Sequence, residues 1–179
     1  NRHHTMEAYI AAKENITVNQ TEEDTCVLNY EDEVLRPFGE TLKAKVIYFS
    51  SARRLEEGVF LEDGKIVLKL NGEAEEVLCT INELQLLGTH NYENVMAAAA
   101  CAKAYGVPIE VIRKVVKAFA GVEHRIEFVA EKQGVTYYND SKGTNPDAAI
   151  RGIKAMNRKT VLIGGGYDKD SSYDEWIQA

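Results

Sequence analysis

The densest group of side chains able to do chemistry lies in the nine residues 138–146, YNDSKGTNP, which carry one carboxylate, one ammonium group and two aliphatic hydroxyls. An apolar run precedes this stretch and a helical pattern follows it, so it lies at a strand-to-helix junction. Asn145 can cap the helix, and Pro146 suits its first position. The free amides of that first turn, with Lys142 beside them, predict a site for phosphate or carboxylate. An ordinary polar turn that only caps the helix is the alternative.

A second apolar run at 160–163 is followed by three glycines at 164–166 and by Lys169. A strand, a helix and a further strand in this order predict a right-handed crossover with the two strands parallel. Because parallel strands end on the same side of a sheet, we expect Asp140, Lys142 and Lys169 to share one anion site. The sequence contains no Gly-x-x-x-x-Gly-Lys-Ser/Thr phosphate loop.

A second motif, GTHNYEN at 88–94, opens a helical stretch rich in alanine. Asn91 and Asn94 are three residues apart and therefore share one face at the start of this helix. A carboxamide both donates and accepts hydrogen bonds, which recognition of a purine edge requires. The alternative, in which Asn91 only caps the helix, explains one of these asparagines and not the other.

Two basic residues stand apart from these motifs. Lys13 lies in a helix predicted over residues 5–20, for which Thr5 is the N-cap. Its spacing alone indicates an ordinary solvated lysine. Arg125 lies at the end of residues 121–125, where helical patterns stop and hairpin patterns resume. This segment is the predicted domain boundary, and Arg125 could reach across it to the preceding domain.

The elements that must position these groups follow an α/β pattern. Two apolar runs, 25–29 and 45–50, predict buried strands. Polar residues 29–32 follow the first run, at the end where open parallel sheets bind ligands, although we favour a surface loop there. Turn pairs at Asp63-Gly64 and Asn71-Gly72 predict a three-stranded meander between residues 58 and 81.

The composition excludes several classes of protein. The 179 residues are 45% apolar and carry a net charge of −7, which is typical of soluble globular proteins and unlike the basic surfaces that bind nucleic acids. No apolar run reaches membrane-spanning length, and no signal-peptide pattern opens the chain. The three cysteines, Cys26, Cys79 and Cys101, are unevenly spaced, which is typical of buried free thiols in a reducing compartment. We therefore expect a cytoplasmic location.

Taken together, these motifs resemble the Mur ligase family, and within it the ligases that add D-glutamate. Residues 139–146 resemble the family pattern NDSKATNP, and residues 88–94 with the alanines that follow resemble GxHNxxNxxAA. Further matches, in the same order along the chain, are Ala11-Ala12-Lys13, His124-Arg125, and Gly164-Gly165 with Lys169.

The resemblance implies a part of a longer, monomeric enzyme. Residues 1–122 would be the second half of a central ATPase domain, with a sheet, helices and a β-meander. Residues 123–179 would begin a Rossmann-like C-terminal domain. In the family reaction, ATP phosphorylates the carboxylate of UDP-N-acetylmuramoyl-L-alanine (UDP-MurNAc-L-alanine), and the amine of D-glutamate attacks the acyl phosphate. Without a phosphate loop, we expect this chain alone to be inactive; a non-catalytic nucleotide-binding module is the alternative.

The resemblance also assigns roles, with ATP and Mg²⁺ as cofactors. Lys13 would be carbamylated and hold magnesium, since a carbamate supplies the oxygen ligands that this ion prefers. Lys142 would neutralise charge on the transferring phosphoryl group. The residues expected to contact the nucleotide or D-glutamate are Asn91 and Asn94 at adenine, Arg125 and Asp140 at the ribose and phosphates, and Thr144 and Lys169 at the α-carboxylate of D-glutamate.

Overall fold

The structure, a computed structural model, describes residues 3–167 and 172–179. It has an α/β fold with a five-stranded sheet followed by a separate two-stranded sheet. The seven strands in these residues are β1 (Thr25–Asn29), β2 (Lys45–Ser50), β3 (Gly58–Glu62), β4 (Lys65–Lys69), β5 (Glu76–Thr80), β6 (Glu127–Lys132) and β7 (Val135–Asn139). The domain division after residue 122 falls between the two sheets and stays a prediction.

The larger sheet has the strand order β1-β2-β3-β4-β5. Strands β1, β2 and β3 pair in parallel, and β3, β4 and β5 form the predicted antiparallel meander. The Asp63-Gly64 turn has positive φ at both residues (49° and 71°), as a two-residue hairpin turn requires. Asn71-Gly72 likewise has positive φ at both residues (56° and 69°), and the N–H of Glu73 donates to the carbonyl of Leu70 at 3.0 Å, so this two-residue turn also forms, although residues 70–75 separate β4 from β5.

Six α-helices lie in the described part of the chain. They are α1 (Met6–Glu14), α2 (Leu35–Gly39), α3 (Thr89–Ala104), α4 (Ile109–Ala118), α5 (Pro146–Lys154) and α6 (Asp174–Gln178), with short 3₁₀ turns at Asn15–Thr17 and Ile81–Glu83. Helix α3 packs across β1, β2 and β3, while α4 packs on β5 and α3. The core forms between these layers.

The small side chains of α3 explain its close approach to the sheet. Ala99 and Ala100 are buried beside Met96, which is completely enclosed. Helix α4 contributes Ile112 and Val116, four residues apart and therefore on one face. Packing on the sheet fixes the start of α3, and with it the GTHNYEN motif, at one end of the five-stranded sheet.

Helix α1 is shorter than the predicted helix over residues 5–20. Thr5 does cap it, since its Oγ1 accepts the N–H of Ala8 at 3.2 Å. The helix ends at Glu14, whose carbonyl accepts a hydrogen bond from the Thr17 hydroxyl at 2.8 Å. Asn and Thr are weak helix formers whose side chains compete for backbone groups, which accounts for the early end.

The strand predicted at 160–163 is wrong, and with it the parallel crossover. Residues 160–167 form no regular structure, and the side chains of Val161 and Ile163 are 91% and 95% exposed. In the described residues, β6 and β7 pair only with each other, in antiparallel orientation. A parallel strand is stable when neighbours cover both its faces, and no described element covers these side chains.

Two of the three cysteines are buried, Cys26 and Cys79, whereas Cys101 is exposed. The prediction for Cys101 is wrong because it follows Ala100 on α3 and so faces away from the sheet. No helix in the described ranges is long and apolar enough to cross a membrane.

Candidate functional site

The polar stretch 138–146 spans the end of β7 and the start of α5, as predicted. Asn145 caps α5, because its Oδ1 accepts the N–H of Ala148 at 2.8 Å. Within the loop, the N–H of Gly143 donates to the carbonyl of Asp140 at 2.8 Å. These bonds fold residues 140–145 into a tight turn immediately in front of the helix N-terminus.

Two hydrogen bonds clamp this loop to residues 124–126. The N–H of Lys142 donates to the carbonyl of His124 at 3.0 Å, and the N–H of Ile126 donates to Oδ1 of Asp140 at 3.1 Å. Both His124 and Ile126 have positive φ, at 67° and 47°, so the chain turns sharply here. The structure therefore brings the backbone of Arg125 next to Asp140 and Lys142.

The Asp140 carboxylate is half-buried against two glycines. A Cβ added to Gly152 would lie 2.7 Å from Oδ2 of Asp140, and one added to Gly143 would lie 2.9 Å from the same atom. Gly152 belongs to α5, so the helix that follows the loop also fixes its acidic side chain. The carboxylate therefore lies between the loop and α5.

The exposed residues of the loop are Ser141, Lys142, Thr144 and Asn145. In the described part of the chain, Lys142 forms no ion pair. Lys142 thus offers an exposed side chain three residues before the N-cap of α5. Lys169, the predicted partner of Asp140 and Lys142, lies outside the described residues.

The start of α3 lies against the end of α5. Gly88 precedes the helix with φ of 92°, and a Cβ added there would lie 2.6 Å from Cβ of Ala155. Asn91 donates from Nδ2 to the carbonyl of Leu87 at 2.6 Å. Its side chain therefore does not cap the free amides of the first turn, and the capping alternative is wrong. Asn94, one turn further on, is exposed.

His90 was not among the predicted site residues, although it adjoins Asn91 in the GTHNYEN motif. It is half-buried, and burial lowers its pKa, with a further lowering by the positive charge of Arg151. The negative charges of Asp140 and Glu93 act in the opposite sense. The pKa of His90, at the start of α3, therefore depends on the charges of Asp140 in the loop and Arg151 in α5.

Lys13 is not brought to this cluster by the described contacts. Its side chain is exposed on α1, with Nζ 5.4 Å from the centre of the Tyr9 ring. Over residues 3–167 and 172–179, no three His, Cys, Asp or Glu side chains are grouped to hold a metal ion.

A different polar cluster lies where β1 and β2 end. Ser50 is completely buried, and its hydroxyl donates to Glu31 at 2.6 Å while accepting the N–H groups of Ala52 and Arg53 at 3.1 Å each. Arg53 binds Glu31 with two nitrogens, at 2.8 and 2.7 Å. The hydrogen bonds from Arg53 and then Ser50 lower the pKa of Glu31. These groups satisfy one another, which favours a structural role for residues 29–32.

Comparison with protein families matches residues 1–102 to the Mur ligase middle domain. The chain belongs to the Mur ligase family. That match covers α1, the five-stranded sheet and most of α3, including the GTHNYEN motif.

Curated relatives in the Mur ligase family match the whole chain. A UDP-N-acetylmuramoylalanine–D-glutamate ligase from Lachnoclostridium phytofermentans is 62% identical over 179 residues, and one from Lachnospira eligens is 52% identical over the same length. A ligase of the same name from Clostridioides difficile is 47% identical over 178 residues. The chain spans only 39%, 40% and 39% of the length of these proteins, respectively.

Two solved ligase structures share the fold. MurF from Acinetobacter baumannii superposes with a TM-score of 0.67 at 22% identity, covering 87% of this chain and 34% of that one. A pseudomurein peptide ligase type C from Methanothermus fervidus gives a TM-score of 0.63 at 18% identity, covering 87% of this chain and 38% of that one. The fold therefore extends beyond the residues of the middle-domain match.

Proposed function

We propose that this chain is the part of an ATP-dependent ligase that joins D-glutamate to UDP-MurNAc-L-alanine in peptidoglycan synthesis. The observation that carries the proposal is the loop 139–146, in which a turn clamped to residues 124–126 presents Lys142 beside a helix N-terminus. The chain is 62% identical over its full length to a UDP-N-acetylmuramoylalanine–D-glutamate ligase, which supports the choice of D-glutamate.

The proposed reaction has two steps. ATP supplies its γ-phosphoryl group to the carboxylate of UDP-MurNAc-L-alanine, which releases ADP. The amine of D-glutamate then attacks the acyl carbon, forming the amide and releasing phosphate. In both steps negative charge accumulates on phosphoryl oxygens, and the proposed role of the Lys142 ammonium group is to neutralise it. The amides that open α5 supply further positive potential.

We propose that the nucleotide lies between the start of α3 and the clamped loop. Asn91 and Asn94 would face adenine, since the second proton of the Asn91 amide and the exposed Asn94 amide can both bind a base edge. Arg125 and Asp140 would hold the ribose and phosphates. Both sit on the segments joined by the bond between Ile126 and Asp140.

Thr144 and Lys169 are proposed to bind the α-carboxylate of D-glutamate. Thr144 is exposed two residues after Lys142, so an amino acid bound there would lie next to the transferring phosphoryl group. A Thr144→Val variant that keeps its KM for D-glutamate unchanged would argue against this assignment.

Lys13 is proposed to act as a carbamate that supplies an oxygen to magnesium. Its exposed side chain is accessible to CO₂. Addition of ¹³C-bicarbonate should give a carbamate signal in the NMR spectrum that disappears in a Lys13→Arg variant. A spectrum that is the same in both proteins contradicts the modification.

The division into a central part, residues 1–122, and a C-terminal part, residues 123–179, is also proposed, as are a monomeric state and a cytoplasmic location. Limited proteolysis at residues 121–125 tests the division. Light scattering of the full-length protein tests the monomer, and fractionation of cells tests the location.

The decisive experiment measures phosphate release by the full-length protein that contains this chain. We expect release only when ATP, UDP-MurNAc-L-alanine and D-glutamate are all present, and none from the 179-residue chain alone. ATP binding without any release would support a non-catalytic nucleotide-binding module instead. Release with an L-amino acid in place of D-glutamate would refute the proposed substrate.

A further inference from the structure

We propose that Asn139 is a positioning residue that ties the nucleotide-contacting segment 124–126 to the loop 139–146 by fixing the tautomer of His124. The inference rests on the proposed function, because it assumes that these two segments hold ATP together. It concerns a residue to which the sequence motifs assign no role.

The orientation of the Asn139 amide is set by the loop itself. Its Oδ1 accepts the N–H of Ser141 at 3.1 Å, so the NH₂ group must point the other way. There Nδ2 lies 2.8 Å from Nδ1 of His124 and 3.4 Å from Oε2 of Glu127. The side chain is half-buried. One amide therefore bonds to its own loop through oxygen and to the neighbouring segment through nitrogen.

This arrangement determines which nitrogen of His124 carries a proton. An amide NH₂ group can only donate, so Nδ1 of His124 must accept, and the neutral ring carries its proton on Nε2. Oε2 of Glu127 also approaches Nδ1, but at 3.5 Å, and it already accepts the backbone N–H of His124 at 2.8 Å. The shorter contact to Asn139 decides the tautomer.

The same region contains the other links between the two segments. The carbonyl of His124 accepts the N–H of Lys142, and Asp140 accepts the N–H of Ile126. Arg125 lies between these two anchored residues. Loss of the His124 ring contact therefore removes one of three ties that hold Arg125 beside Asp140.

Asn139→Asp separates the two functions of the side chain. The carboxylate keeps an oxygen for the N–H of Ser141, so the loop and Thr144 keep their positions. It offers no proton to His124, so the ring must move its own proton to Nδ1 to restore a hydrogen bond. Asn139→Ala removes both contacts. Asn157→Asp is the matched control, because Asn157 is an exposed asparagine after α5 that makes no hydrogen bond to the described residues.

The experiment uses the full-length protein labelled with ¹⁵N-histidine, with the His124 signals assigned from a His124→Gln variant. In the wild type, we expect the proton of the neutral His124 ring to be on Nε2. In Asn139→Asp, we expect it to be on Nδ1. We also expect the KM for ATP to rise about tenfold in Asn139→Asp, as for the loss of one hydrogen bond. The KM for D-glutamate should change less than about twofold in this variant, and both constants should rise in Asn139→Ala.

The outcomes separate this inference from the proposed function. If the wild type does not ligate D-glutamate, the proposed function fails and the NMR result still tests the tautomer. If the wild type is active but Asn139→Asp behaves like Asn157→Asp in both NMR and kinetics, Asn139 is not a positioning residue. An equal rise in both KM values for Asn139→Asp would likewise contradict it, since that result indicates general loosening of the loop.

Discussion

Two polar clusters in this molecule are built from similar residues and differ in what they leave unpaired. In the first, at the ends of β1 and β2, Ser50, Glu31 and Arg53 direct their side chains at one another. In the second, the loop 139–146, hydrogen bonds from backbone groups and asparagine side chains set the shape. Lys142 of that loop remains exposed.

The difference between the clusters separates a structural role from the binding role proposed for the loop. A buried hydroxyl and an ion pair that satisfy each other stabilise the fold but leave no group for a ligand. A loop whose geometry is fixed without its lysine keeps a cation available at a helix N-terminus. Position at the end of a strand is common to both clusters, so position alone does not distinguish them.

The largest expected effect is on catalysis, from Lys142→Ala in the full-length protein. Turnover should fall by about 100-fold or more, because the charge that opposes the transferring phosphoryl group is lost. The thermal midpoint should stay unchanged, since Lys142 makes no ion pair among the described residues. Lys154→Ala, which removes an exposed lysine from the last turn of α5, is the control. Near-normal turnover of Lys142→Ala would make the loop an ordinary helix-capping turn.

The next effect is on stability, from Ser50→Ala in the first cluster. Removal of a buried hydroxyl that bonds Glu31 and two backbone amides should lower the free energy of unfolding by about 1–3 kcal/mol. Urea denaturation measures this loss, and KM values should not change. Ser172→Ala, at an exposed serine whose hydroxyl bonds the nearby Asp174, provides the comparison with a solvent-exposed hydrogen bond. A variant with normal stability but a raised KM for ATP would place the first cluster in the site.

The smallest effect is a pH dependence at the junction of α3 and α5. The pKa of His90 is lowered from its ordinary value of 6.5, chiefly by burial. The unfolded chain therefore binds a proton at higher pH than the folded chain, and stability declines as pH falls below about 6.5 through the lowered pKa. Urea denaturation between pH 7 and pH 5 should show a smaller decline in His90→Gln than in the wild type. Equal declines would contradict the lowered pKa.

Much of the fold could be predicted because local signals agree with tertiary packing. Positive φ at Asp63 and Gly64, the Asn145 cap and the existence of strands β1 to β5 all follow from residue type and short-range pattern, although β2 is only half-buried up to Ser50. The prediction of a strand at 160–163 was wrong because an apolar sequence indicates burial, whereas a strand also needs a neighbouring strand to pair with. Residues far apart in the chain decide whether that neighbour is present.

The candidate site was predictable in part. The motifs at 88–94 and 139–146 predict Asn91, Asp140 and Lys142 as site residues, and the charge of Asp140 acts on the pKa of His90 in the first motif. The lowered pKa of His90 depends on its burial, and the side-chain hydrogen bond of Asn139 depends on a histidine ring fifteen residues earlier in the chain. Neither follows from spacing, because both result from contacts between separate elements.

Hydrogen–deuterium exchange of the full-length protein, with and without a non-hydrolysable ATP analogue, tests the difference between the two clusters most directly. We predict that the analogue slows amide exchange at residues 88–94, 124–126 and 139–146 and leaves residues 29–32 and 50–53 unchanged. Slowed exchange at 29–32 and 50–53 with no change at 139–146 would contradict the assignment of the nucleotide site.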